Sequence, residues 1–127
     1  MQSGHDRRRF TRYRVLKGSL FVLNHFSTRV GWIHDISKNG LCFEYVFAIG
    51  QEVAPEVIDI FAHQPSGTYL PSIKCRMIFN RRLEKDDELQ NRTEIHRCGI
   101  CFREMTELQR EEMHFMIASY GRDLKPT

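Results

Sequence analysis

Val30-Gly31-Trp32-Ile33-His34-Asp35-Ile36-Ser37-Lys38-Asn39-Gly40-Leu41-Cys42-Phe43-Glu44-Tyr45-Val46 is the stretch whose reading decides the fold. Its two arms are apolar and rich in aromatic and β-branched residues, which predicts strands over Val30–Ile36 and Leu41–Val46. The Ser37-Lys38-Asn39-Gly40 between them is turn chemistry. Asn-Gly is a strong tight-turn signal because both residues tolerate positive φ. The stretch therefore reads as an antiparallel hairpin.

Similar punctuation continues on both sides. Val15–Leu23 reads as a preceding strand that ends at Asn24, and Glu56–Ala62 as a following one, before Pro65-Ser66-Gly67 turns the chain. In Ile73–Phe79 the residues Ile73, Cys75, Met77 and Phe79 alternate with Lys74, Arg76 and Ile78, the period of a strand. Arg81–Arg92, with Lys85-Asp86-Asp87-Glu88 at its centre, reads as a long solvated hairpin loop, and Ile95–Phe102 as the sixth strand. The period then changes. Thr106 and Gln109 are spaced as a capping box, Met113, Met116, Ile117 and Tyr120 recur at helical spacing, and Gly121 marks a stop. These elements predict a mainly all-β domain, a closed six-stranded antiparallel β-barrel with a C-terminal α-helix packed on it. The expected organisation is a flexible arginine-rich segment over 1–14, the barrel with its helix over 15–121, and a tail over 122–127.

The chain has 127 residues, 41% hydrophobic and 28% charged, with a formal net charge of +3, which suits one globular domain. No apolar run approaches the roughly 18–20 residues that span a bilayer, so no membrane insertion is expected. The polar start has no apolar signal core, and the cytoplasm is the expected location. Of Cys42, Cys75, Cys98 and Cys101, only the last two have a Cys-x-x-Cys spacing. Residues three apart point to opposite faces of a strand, which argues against a metal site; Cys75 and Cys98 fall on apolar faces. The six histidines are scattered, none pairing recognisably with a nucleophile or carboxylate, so neither an enzyme nor a cofactor is expected. The Met113–Tyr120 stripe is expected to pack on the barrel, and Trp32 and Phe79 are expected in the core, with a place beside a bound ligand, where aromatic rings stack, as the alternative for one of them.

Two constellations carry binding chemistry. Arg7, Arg8, Arg9, Arg12 and Arg14 face a single acid, Asp6, and include an Arg-x-x-x-Arg at Arg8 and Arg12. Guanidinium groups meet guanine O6 and N7, or two phosphate oxygens, with paired hydrogen bonds and can stack on a purine. An arginine run is also what a solvated basic tail looks like. The second constellation is Asp35-x-Ser37-x-x-Gly40 at the hairpin turn. Asp35 can accept from guanine N1–H and N2–H₂, Ser37 offers a donor and an acceptor, and Gly40 lets backbone or ligand come close. The same residue types are what any hairpin turn favours.

The order and spacing of the two together resemble the PilZ domain family, receptors for the bacterial messenger cyclic di-GMP. Asp6–Arg12 is similar to that family's arginine motif and Asp35–Gly40 to its second motif. Gly99-Ile100-Cys101-Phe102 and the helix after Thr106 are similar to its closing strand and helix. The resemblance implies that Arg8 and Arg12 grip guanine and phosphate, and that Asp35, Ser37 and Gly40 receive a guanine. It further implies that Arg7 favours two intercalated cyclic di-GMP molecules per domain. Thr11, where proline is common, and the long Arg81–Arg92 loop depart from the pattern. The expected mechanism is a clamp, with the ligand pinning the arginine segment onto the barrel and an effector protein reading the new surface. Motility, exopolysaccharide and virulence control are family themes. Two rivals are a nucleic-acid-binding barrel and a PilZ-like interaction module without ligand. Nucleic acid leaves Asp35 and Ser37 without a purpose, since a carboxylate is unhelpful beside a polyanion.

Overall fold

The computed structural model describes residues 11–25, 29–47, 54–62, 68–83 and 94–123. The strands are β1 (Tyr13–Val15), β2 (Leu20–Asn24), β3 (Arg29–Ile36), β4 (Gly40–Phe47), β5 (Val57–Ala62), β6 (Tyr69–Arg82), β7 (Glu94–Phe102) and β8 (Gly121–Asp123), with helix α1 (Glu107–Tyr120) before the last. Their order in the sheet is β2-β5-β6-β7-β4-β3-β1-β8, and a further β2–β3 pairing closes the first six into an antiparallel barrel. The six-stranded barrel with one C-terminal helix is the architecture the sequence predicts.

The stretch expected as one strand, Val15–Leu23, is two. Ser19 N–H donates to the Leu16 carbonyl (3.0 Å), and Gly18 at φ +92° supplies a backbone conformation that other residues adopt at a cost. The break lets β1 leave the barrel and pair with β8, while β2 enters it. Both expected boundaries move as a result: Tyr13 and Arg14 belong to β1, and residues 122 and 123 to β8. Arg7 and Arg8, and most of the expected Arg81–Arg92 loop, lie outside the described residues, although Arg81 and Arg82 extend β6.

The core contains Ile33, Ile36, Ile58, Ile60, Leu70, Ile73 and Cys75, together with Met113, Met116 and Ile117 of α1. The capping box forms as predicted, with Gln109 N–H donating to the Thr106 hydroxyl and Thr106 N–H to the Gln109 side chain (each 3.0 Å). Gly121 ends the helix, its N–H donating to the Ile117 carbonyl.

Strict alternation would send Ile33 and Ile36 to opposite faces of β3. Both are fully buried. A bulge reconciles the two: Ile33 pairs with Phe43 and Asp35 with Cys42, leaving His34 as an extra residue in β3. The insertion reverses the parity of the rest of the strand, so Asp35 joins Trp32 on the outer face and Ile36 returns to the core. A second bulge, at Ile78 between the Met77–Ile100 and Phe79–Gly99 pairs, ends the predicted inward series of β6. Phe79, expected in the core, therefore stands on the outer face, 37% exposed, where its ring fills the space a Gly99 β-carbon would need. Trp32 is likewise outside the core, half-buried on the outer face.

Replacing Ile36 with Ala should cost about 2–5 kcal/mol, the range for truncating a fully buried aliphatic side chain. Urea unfolding of the Ile36→Ala protein checks this.

Candidate functional site

The antiparallel β1–β3 register, Tyr13 with Ile36 and Arg14 with Asp35, leads the chain preceding β1 past the β3–β4 turn. Arg12, one residue before β1, reaches across 23 positions of sequence to Asp35: its Nη2 donates to Oδ1 at 2.6 Å and its Nε to the same oxygen at 3.2 Å. The other Asp35 oxygen, Oδ2, lies 2.8 Å from His34 Nδ1. Arg12 also lies 3.2 Å from the Cys42 sulfur beneath it. The Asp35 side chain is only 8% exposed and that of Arg12 43%. The sheet thus presents a buried carboxylate with a half-exposed guanidinium clasped over it.

Ser37 and Gly40 sit beside this pair and shape the turn. Ser37 N–H donates to the Gly40 carbonyl (2.8 Å), and the Ser37 hydroxyl accepts from the N–H groups of Asn39 (3.1 Å) and Gly40 (3.3 Å). The tight turn forms as the Asn-Gly signal predicts, but neither Asn39 nor Gly40 uses its tolerance of positive φ; the Ser37 hydroxyl holds the turn instead. Gly40 is required for another reason: a β-carbon there would fall 2.1 Å from the Ile100 carbonyl oxygen of β7. Of the predicted site residues, Arg12, Asp35, Ser37 and Gly40 are brought together, while Arg7 and Arg8 lie outside the described residues.

Two cross-strand rows extend this site over the outer face. One runs Arg14–Asp35–Cys42–Gly99–Phe79, the other Phe21–Trp32–Glu44–Arg97–Arg81. Small residues form the floor of the first row at Cys42 and Gly99. In the second, Trp32 Nε1–H donates to Glu44 Oε1 (3.0 Å) and Arg97 Nε to Glu44 Oε2 (3.0 Å). Burial alone would raise the Glu44 pKa, but the Arg97 and Trp32 hydrogen bonds outweigh it and hold the carboxyl below its usual range. Nothing in the sequence marked Glu44 or Arg97, which lie 53 residues apart; only the β4–β7 pairing makes them neighbours.

The histidines correct another expectation. His25 Nε2 lies 2.7 Å from Asp59, His34 beside Asp35, and His96 Nε2 3.0 Å from Glu94. Asp59 also accepts from Tyr69 O–H and the Ser72 N–H (2.9 Å). Burial would raise its pKa, yet Ser72 and His25 together bring it below the usual value. The apolar setting of Cys75 and Cys98 is as expected: burial pushes each thiol up to about 12, the behaviour of inert core cysteines. Among the described residues, no three His, Cys, Asp or Glu side chains gather to hold a metal ion.

No family model and no curated protein match the sequence. Solved structures match the fold. The PilZ domain of YcgR from Escherichia coli, with c-di-GMP, superposes at a TM-score of 0.62 and 14% identity, covering 90% of this chain and 91% of that one. The chain has the PilZ-domain fold. The MrkH–c-di-GMP complex of K. pneumonia superposes at a TM-score of 0.63 and 12% identity, covering 94% of this chain. MrkH described as a c-di-GMP-dependent transcription regulatory factor superposes at 0.62 and 11%. This PilZ-fold chain spans about half of the MrkH chains, 50% and 52%. Among its described residues, no helix is long and apolar enough to cross a membrane.

A carboxyl whose pKa is depressed by folding stabilises the folded state in full above its unfolded pKa, and loses that contribution as pH falls through the lowered value. Glu44 and Asp59 are both of this kind. The urea midpoint should therefore fall between about pH 5 and pH 3, around the usual carboxylate range. Glu44→Gln should be less stable at neutral pH and lose less over that window.

Proposed function

We propose that the chain is a bacterial receptor for cyclic di-GMP that does no chemistry on its ligand and signals to an effector protein. The observation that carries this reading is Arg12 seated on Asp35 beside the Ser37–Gly40 turn, which joins both sequence constellations in one place. In support, the PilZ domain of YcgR and MrkH, which share the fold, are described with c-di-GMP. Arg7, Arg8, Arg12, Asp35, Ser37 and Gly40 are the proposed contact residues.

Binding on this reading is an exchange of partners. Both oxygens of Asp35 are engaged, by Arg12 and by His34, and must give up lone-pair positions to a guanine N1–H and N2–H₂. The guanidinium so released meets a phosphate or the O6/N7 edge. The net gain is a difference between two sets of charge-assisted bonds, each about 1.5–3 kcal/mol, so a ligand that supplies only phosphate leaves Asp35 uncompensated. Arg12 leads directly into β1, β1 pairs with β8, and β8 continues α1. Moving Arg12 therefore pulls on the ribbon that anchors the helix end, a route by which an effector senses occupancy.

Calorimetric titration with cyclic di-GMP, cyclic di-AMP and a DNA oligomer at two salt concentrations tests the reading. Saturable binding of the guanine ligand alone supports it; DNA binding with a steep salt slope points to nucleic acid instead. Arg8→Ala and Arg12→Lys should each weaken cyclic di-GMP by about tenfold or more, the worth of one charge-assisted hydrogen bond. An ammonium cannot form the planar fork, so wild-type affinity in Arg12→Lys would remove the guanidinium from the mechanism.

A further inference from the structure

We propose that Glu44, Arg97 and Trp32 form a second guanine subsite, one pleat along the outer face from Asp35. This inference rests on the cyclic di-GMP reading and adds to it residues that neither sequence constellation contains.

A cavity of about 440 Å³ opens on this face, lined among others by Arg14, Lys17, Trp32, His34, Glu44 and Arg97. It adjoins the first subsite, because Arg14 pairs with Asp35 and His34 hydrogen-bonds to it. The chemistry of the first subsite is repeated there. Asp35 is clasped by Arg12; Glu44 is clasped by Arg97 through Nε and Nη2, with side-chain exposures of only 13% and 23%. A carboxylate paired with a guanidinium matches both edges of guanine, accepting from N1–H and N2–H₂ and donating to O6 and N7. The Trp32 ring adds a stacking surface, covered by the Lys17 ammonium 4.8 Å from its centroid. Lys17 belongs to the exposed β1–β2 turn and can exchange the ring for a phosphate.

Charge favours the same occupant. Arg12, Arg14, Lys17, Arg81 and Arg97 set five positive charges against the two of Asp35 and Glu44. That local excess of cations suits the two phosphates of a cyclic dinucleotide. A larger hollow of about 930 Å³, between the β3–β4 turn and α1, has the opposite balance: Glu104, Glu107 and Glu111 outnumber Lys38 and Arg110. That balance does not favour phosphates.

Trp32 is the single tryptophan of the chain, so its emission reports on this subsite alone. Saturating the wild-type protein with cyclic di-GMP should quench it. The hybrid 3′,3′-cyclic GMP–AMP, with one adenine, should bind about tenfold more weakly or worse, because adenine N1 is an acceptor and offers Glu44 no adjacent pair of donors. In Glu44→Gln, with folding checked by urea unfolding, cyclic di-GMP should weaken to within about twofold of the hybrid. A Glu44→Gln protein that keeps the wild-type preference overturns the second subsite, as does unquenched Trp32 emission at saturation. If the wild-type protein binds no cyclic di-GMP, the functional reading falls together with the subsite. The wild-type titration therefore separates the two failures.

Discussion

The extra residue at His34 is the constraint on which the outer face depends. Ile33 and Ile36 are both fully buried, and an unbroken strand cannot place residues three apart on one face. A regular strand would bury only one of them, so the gain from burying the second isoleucine, about 1.5–3 kcal/mol, favours the bulge over regular pairing. Once the bulge is present, Asp35 has no choice of side. Regular alternation would drive an unpaired carboxylate into the barrel interior, at a desolvation cost that no neighbour there offsets. The core thus decides where the carboxylate points, and His34, the inserted residue, becomes its hydrogen-bond partner.

A carboxylate turned outward on a crowded sheet still loses much of its water. Asp35 is restored by Arg12 and His34, and Glu44 by Arg97 and Trp32. Removing one partner from such a pair is costly because the other is left half-desolvated. A ligand that replaces the partner with groups of equal capacity avoids that cost. The exchange proposed at Asp35 and Glu44 relies on this balance. Lys74 and Glu104, by contrast, pair at side-chain exposures of 62% and 60%, where water already competes and little is at stake.

The β1–β8 ribbon gives the barrel a connection that six closed strands would lack. It joins the segment carrying Arg12 to the residue that ends α1, with Tyr13 packed where a β-carbon on Gly121 would lie. The helix, in turn, contributes Met113, Met116 and Ile117 to the same core as Ile36. Arg12's segment, the ribbon, the helix and the core are therefore joined by direct pairing and packing.

Much of this architecture is legible in the chain itself. Hairpin chemistry at Ser37–Gly40, the capping box at Thr106 and Gln109, and the apolar periods either side of Arg81–Arg92 are local signals, set by φ preferences and side-chain alternation. They determined the six-stranded barrel and its helix, though not β1 and β8, and they marked Arg12, Asp35, Ser37 and Gly40. Parity after an insertion is not local. The bulges at His34 and Ile78 depend on how the strands of one closed sheet share an interior, which is why Phe79 and Trp32 read as core residues and stand outside. The Glu44–Arg97 and His25–Asp59 pairs join residues 53 and 34 apart, and no spacing rule connects them. Sequence alone determined which elements form and which motif residues the turn carries. Only the tertiary strand pairing decided which distant charges meet, because it brings strands far apart in sequence into register.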